Sequence, residues 1–554
     1  MAGKQIRSKL LPRDKDPDYP PKFLPLGDLE SIMSEGAVDE IIVDALGITE
    51  ANAIEIRKQI CGNRSEPRRI KILATLILIE KVKHIQGFLK HDVWDDELPL
   101  PFDVDHAVFQ DWKEGYVDSF CYRQYVVLAP VFDFTTMKHK KFGLSLPMPF
   151  LERLAWELGG AHGKISKVRI HQDHHSWDRD SVRRLIIERC TGTHTVQASE
   201  HDPPCFAVKR FQEHSKFKQE RQALERFSLP NRGHDHLVRL LLSYERGGEF
   251  FMIFPWAQCN LVDFWRKSPS NPKSRDDTCW FIQQCRGMAS GLRKVHNDGS
   301  WPPRCDSRGD TSQFDFRNRG RHGDIKPENI LFFPKVETTP ARLVIADFTL
   351  MRFHSVDTVD YTTASGVGFT GAYCPPELEP GSHSIVSQKY DIWTLGCVYL
   401  EFITWHLIGY DAIREDSFKS RTGKLLESFD IVRLNDHKKH GFSTNTFFNQ
   451  TNGSGAQVKT SVWIRMLHKN PYCSEAMDHF LNLIEEHMLV PMPEGRYSMD
   501  QVCTELTKIS LRCQSDDGYC YVDSVDDPGC PSKDDEFPPE FTNEQASHND
   551  PFYL

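Results

Sequence analysis

Hydrophobic positions give the chain several distinct textures. Between residues 28 and 93, apolar residues recur at three- and four-residue spacing. Leu73, Ile77 and Ile79, then Val82, Ile85 and Leu89, follow this rhythm and predict a mainly helical region. Residues 94–145 mix acidic turns with aromatic and β-branched runs such as Tyr125-Val-Val-Leu128. From about residue 150, short apolar runs predict strands at 165–170, 206–209, 237–242 and 250–254. A helical run over 217–227 interrupts them, and longer helical patterns follow, 280–295 being the clearest. Strands first and helices afterwards predict an α+β arrangement in two lobes. The small β-rich lobe is expected over about 150–257 and the larger helical lobe over about 258–510. Polar segments at 178–203, 298–321 and 437–457 read as insertions.

Composition adds the chain ends. Residues 1–27 are polar and Pro-rich, and residues 513–554 are acidic and poor in core formers, so both are expected to be disordered. The net charge is −10, and residues 516–554 alone hold eleven acids against Lys533. The remainder is close to neutral, with no basic face for nucleic acid. The best apolar run, 72–79, falls well short of the ~20 residues of a membrane helix. The amino terminus is polar and carries no secretory pattern, so a cytoplasmic or nuclear protein with reduced thiols is expected. None of the 15 cysteines forms a C-x-x-C pair, which removes zinc ribbons and thioredoxin-like sites. His171, His174 and His175 have no further ligand at suitable spacing and read as a solvated loop.

The chemistry centres on His322-Gly-Asp-Ile-Lys-Pro-Glu-Asn329. Phosphoryl transfer needs positioned metal ions, a phosphate cradle and a group that orients the incoming hydroxyl. On a tight loop, Asp324 can accept the hydroxyl proton while Asn329 binds a metal. A polar turn is the plain alternative, but the strand-like Ile330-Leu-Phe-Phe333 follows directly. These residues resemble the catalytic loop of the eukaryotic protein kinase superfamily, Ser/Thr type. The resemblance covers about residues 150–510. It implies the bilobal protein-kinase fold, with ATP and Mg2+ as cofactors. There is a looser similarity to kinase-domain proteins of filamentous fungi.

The other motifs follow from that resemblance. Asp347, in Ala346-Asp-Phe-Thr349, matches the second metal ligand; the family usually has Gly where Thr349 stands. A β-branched residue is costly at positive φ, so this turn is expected to be held differently. Lys209, in Phe206-Ala-Val-Lys209, matches the strand lysine that pairs with the α- and β-phosphates. Glu220 matches its carboxylate partner, with Glu213 and Glu225 as alternatives. Gly159, Gly160 and Gly163, followed by Ile165, resemble a phosphate-binding loop one residue short of the family pattern. Phe254-Pro-Trp-Ala257 resembles the hinge, with Phe254 gating the adenine pocket and Ala257 within it. Ile165, Ala207 and Leu331 would sandwich the ring.

Three further segments imply a protein substrate carrying a Ser or Thr hydroxyl. Thr370-Gly-Ala-Tyr-Cys-Pro-Pro-Glu377 resembles the docking segment. Tyr390-Asp391-Ile-Trp-Thr-Leu-Gly396 resembles the helix that anchors the catalytic loop. Arg496 matches the arginine that pairs with Glu377. Lys326 and Thr370 are the Ser/Thr-type choices. Gly323 replaces the family arginine that receives an activation-loop phosphate, so the loop from Asp347 to Glu377 is expected to need none. Thr358, Thr362, Thr363 and Ser365 are its candidate phosphosites. The alternative to a kinase is a pseudokinase or scaffold that binds partners through the same fold. A small-molecule kinase is a more distant third.

Overall fold

The computed structural model describes residues 2–11, 23–62, 67–136, 138–153, 158–160, 163–176, 205–228, 232–268, 274–297, 319–335, 340–354, 371–378, 386–419, 424–439, 446–449, 457–458 and 460–522. The chain divides into two compact units, residues 1–217 with 240–256, and residues 218–239 with 257–554. Among the described residues no helix is long and apolar enough to cross a membrane.

The first unit opens with seven helices: α1 (Ala2–Leu10), α2 (Leu26–Ile32), α3 (Glu35–Leu46), α4 (Glu50–Cys61), α5 (Ile70–Leu78), α6 (Ile85–Lys90) and α7 (Glu114–Arg123). Every residue of α5 except Lys71 is buried, so it is the central element of this region, not an amphipathic surface helix. Ile6 and Leu10, four residues apart on α1, join the same core. The expectation of disorder over 1–27 is therefore corrected for 2–10 and from 23 onward. The run at 125–128 lies in and just after a 3-10 turn, Gln124–Val127.

A seven-stranded sheet completes this unit. Its strands are β1 (Lys140–Phe142), β2 (Phe150–Arg153), β3 (Leu158–Gly160), β4 (Gly163–Ile170), β5 (Cys205–Phe211), β6 (Leu242–Arg246) and β7 (Glu249–Pro255), in the order β1-β6-β7-β5-β4-β2 with β3 also on β4. All pairings are antiparallel except β1 with β6. Phe132 and Phe134, from before β1, pack into the sheet core with Val168, Phe206 and Tyr244. Of the expected strand 237–242, only Leu242 is in β6. All its apolar residues are buried, so spacing alone could not separate strand from irregular chain.

The histidine cluster is not a solvated loop, which corrects the expectation. Buried His174 accepts the Leu26 N–H at Nε2 (3.0 Å), sits 3.1 Å from the Pro130 carbonyl at Nδ1, and meets the edge of Phe23. Asp173 Oδ2 accepts the Gly27 N–H at 3.1 Å. Cys205 is disulfide-bonded, so the thiols are not all reduced.

The second unit is mainly helical. Helix α8 (His214–Ser228) enters it from the first unit. Then come α9 (Leu261–Lys267), α10 (Arg275–His296), α11 (Lys389–Leu407), α12 (Asp411–Arg414), α13 (Phe429–Lys439), α14 (Ser461–His468), α15 (Glu475–Leu483), α16 (Met499–Ser515) and α17 (Asp517–Cys520). Sequence explains several starts. Ser274 with Asp277, and Ser498 with Gln501, form reciprocal capping boxes on α10 and α16. Helix α11 is buried from Tyr390 onward and forms the core of the lobe. Strands β8 (Cys259–Asn260), β10 (Ile330–Phe333) and β11 (Arg342–Ile345) make one small sheet; β9 (Arg319–Arg321) pairs β12 (Arg352–His354). Helices α16 and α17 carry ordered chain past residue 513, where a disordered tail was expected. The insertion at 178–203 and residues 298–318 of the insertion at 298–321 lie outside the described residues, while 319–321 form β9.

Candidate active site

The 322–329 loop is fixed from below by one carboxylate. Asp391, at the start of α11, accepts the His322 N–H at Oδ2 (2.8 Å) and the Gly323 N–H at Oδ1 (2.9 Å). His296, the last residue of α10, contacts the same Oδ2 at 2.9 Å. Burial pushes the Asp391 carboxyl up, but the His296 hydrogen bond, the two neighbouring imidazoles and the Gly323 N–H outweigh it and hold it below the usual range. Burial lowers the pKa of His322.

Above this anchor, Asp324 is 5% exposed. Its Oδ2 receives the Asn329 Nδ2 at 2.8 Å and the Lys326 ammonium at 2.9 Å, and its carbonyl receives Asn329 again at 2.9 Å. Two residues of the predicted motif therefore converge on the carboxylate of a third. Asn329 commits its amide N–H groups to Asp324, so its amide oxygen is the atom it can offer a cation.

Gly323 sits at φ +84°, and a Cβ there would lie 3.0 Å from the Leu350 carbonyl oxygen. The backbone thus approaches too closely for an ordinary side chain. The Asp347 turn completes this side of the site. Positive φ falls on Asp347 itself (+62°), while Thr349 sits in a 3-10 turn. The strain expected at Thr349 is absent from that residue. Its hydroxyl instead lies 2.6 Å from Glu220 Oε2 and 2.5 Å from Asp347 Oδ1. Gln219 donates to the carbonyls of Thr349 (2.6 Å) and Met351 (3.1 Å).

The predicted Glu377–Arg496 pair is bidentate at 2.8 and 2.7 Å and buried. The guanidinium also lies 5.0 Å over the Trp393 ring.

The pattern of the protein kinase domain family matches residues 312–506. Over this stretch the chain carries a domain of the eukaryotic protein kinase superfamily. Over 181 residues the chain is 29% identical to a "probable CTD kinase subunit alpha homolog" of Encephalitozoon cuniculi, covering 32% of the chain and 43% of that relative. It is 29% identical over 213 residues to the serine/threonine-protein kinase Doa of Drosophila melanogaster, covering 36% of the chain and 22% of the relative. Cyclin-dependent kinase B2-1 of Arabidopsis thaliana is 27% identical over 177 residues, with coverages of 30% and 46%. The matched stretch spans less than half the length of each relative. None of these three bears on the looser fungal likeness.

The remaining predicted kinase residues divide between the units. Lys209 is buried in the middle of β5, opposite Ile165 on one side and Met252 on the other. Ala207 pairs with Phe254 and Lys167. Gly159 and Gly160 pair with Lys164 and Gly163 in a hairpin whose two turn residues lie outside the described chain. Ala257 and Leu331 belong to the second unit, Leu331 opposite Asn260 and Val344. Thr370, Thr358, Thr362, Thr363 and Ser365 lie outside the described residues.

Sequence reasoning missed His296, Gln219 and a buried polar network. Tyr373, in the docking segment, donates to Glu401 Oε2 at 2.8 Å, with Arg414 3.3 Å from the same oxygen and Arg433 3.5 Å from Oε1. Burial raises the Glu401 pKa against the pull of both arginines. A lone acid in the apolar run of α11 was the available signal, since buried Glu is rare unless paired.

Proposed function

We propose that this protein is an ATP- and Mg2+-dependent Ser/Thr kinase that transfers the γ-phosphoryl group to a protein hydroxyl. The observation that carries this reading is the Asp324 carboxylate, held by Asn329 and Lys326 on a loop clamped by Asp391. A carboxylate so oriented can accept the hydroxyl proton as the bond to phosphorus forms. Lys326 balances the charge on Asp324 and is the natural contact for the transferred phosphate. The Asn329 amide oxygen and the Asp347 carboxylate are hard oxygen donors that suit Mg2+ with its remaining waters and phosphate oxygens. Bound there, the metal would offset phosphate charge. Lys209 and the glycine hairpin are the proposed holders of the α- and β-phosphates. Ile165, Ala207, Phe254, Ala257 and Leu331 are the proposed adenine contacts. Thr370 is the proposed substrate-docking residue.

The names of the relatives support Ser/Thr over Tyr, as does Lys326 in the loop. Phosphoamino-acid analysis of a basic protein labelled by this kinase from γ-labelled ATP tests the choice. Phosphoserine or phosphothreonine is expected; phosphotyrosine alone would overturn it. A second reading, a scaffold that uses the fold for binding, is favoured by the tight hairpin joining Gly160 to Gly163. Failure of the protein to bind Mg2+–ATP would favour it.

A further inference from the structure

The family glycine after the metal aspartate has no side chain, whereas Thr349 has a hydroxyl, and that hydroxyl is in use. It is buried between two carboxylates that the kinase reading assigns different roles, Glu220 on α8 and Asp347 in the turn. The Thr349 N–H adds a longer contact to Asp347 Oδ1 at 3.4 Å. The adjacent Gln219 takes the Thr349 and Met351 carbonyls, so two consecutive residues of α8 grip both the side chain and the backbone of one turn. Phe348 lies within the same contact, 4.8 Å from His322 and 6.0 Å from Phe227 by ring centroids. Leu350 closes on Gly323 from the other side.

We propose that Thr349 is a positioning residue that ties the Glu220 helix to the Asp347 turn. This deepens the kinase reading above and rests on it. The tie needs no modification. The hydroxyl has one proton; donated to Glu220 Oε2, it holds the turn and the helix in register by a charge-assisted hydrogen bond in a water-poor setting, where such bonds are strongest. A kinase with Gly323 in place of a phosphate-receiving arginine has a use for such a link. The turn at 347–351 is then ordered from α8 and not from a phosphate.

Three variants separate the hydroxyl from the shape of the side chain. Thr349→Val keeps the shape and removes the hydroxyl, Thr349→Ser keeps the hydroxyl, and Thr349→Gly restores the family residue. Two readouts are taken on the full chain: amide hydrogen exchange in residues 214–228 and 347–351, and the Mg2+ concentration giving half-maximal phosphate transfer. The valine and glycine variants are expected to exchange about tenfold faster in both segments, the loss of one charged hydrogen bond. They should also need several-fold more Mg2+, while serine stays within about twofold of the parent. Parent-like exchange in the valine and glycine variants would overturn the proposal. So would a serine variant as impaired as valine. If the parent protein transfers no phosphate, the kinase reading fails. Exchange in the three variants, with the melting shift on adding Mg2+ and ADP, still decides the tie by the same comparison.

Discussion

Arg496 grips Glu377 through two parallel N–H···O bonds of 2.8 and 2.7 Å, both side chains being shut away from water. Arg496 also donates to the carbonyls of Val490, Pro491 and Lys389, so its donors are met on every side. Removing one partner leaves a buried charge uncompensated, which costs about 3–5 kcal/mol. Arg496→Ala and Glu377→Gln should each lower unfolding free energy by that order in urea titrations. Arg496→Lys should not rescue, because an ammonium cannot form the two-pronged contact. A double variant scarcely worse than either single one is the expected sign of a shared interaction.

Gly323 answers to geometry as well as to regulation. At φ +84°, with the Leu350 carbonyl oxygen 3.0 Å from where a Cβ would stand, any L side chain is strained. Gly323→Ala and Gly323→Arg should both destabilise by about 1–3 kcal/mol. The arginine variant should gain no dependence on activation-loop phosphate. Thermal melts before and after phosphatase treatment check both points; an arginine variant as stable as the parent would contradict them.

The parts of the fold legible in sequence were those written as local pattern. The 322–329 loop, the Asp391 helix and the Arg496–Glu377 pair all combine a recognisable spacing with residues whose chemistry has few other uses. The tie through Thr349 was not legible, because 129 positions separate it from Glu220 and nothing local marks a hydroxyl as shared. His296 was hidden for the same reason, 95 positions from Asp391. The histidine cluster was misread because its partners, Phe23, Leu26 and Pro130, come from a region with no pattern pointing at β4. Ordering of α1 was missed because two apolar residues in a polar stretch suffice once a core is near.

His175 supplies a pH test. It stacks on Phe134 at 5.9 Å and meets the edge of Phe206 at 5.7 Å, and neither ring nitrogen has a hydrogen-bond partner among the described residues. Burial, with smaller contributions from His171 and His174 against Asp173, pushes its pKa down to about 4. The unfolded chain takes up the proton first, near pH 6.5, so the contribution to stability is complete above that pH. It is lost as pH falls towards about 4. His174 and His236 are shifted the same way by burial. Between pH 7 and 4, unfolding free energy should therefore fall, and His175→Phe should reduce that fall by on the order of 2 kcal/mol. Equal pH slopes in the two proteins would contradict this.

The most direct test of the central claim is phosphate transfer from γ-labelled ATP with Mg2+ to a generic basic protein, run beside Asp324→Asn and Asp347→Asn. The parent should label the substrate, and each variant should fall by about a hundredfold or more, the scale of losing a positioned acid–base group or a metal ligand. Labelling by the parent no greater than by these variants would contradict the account.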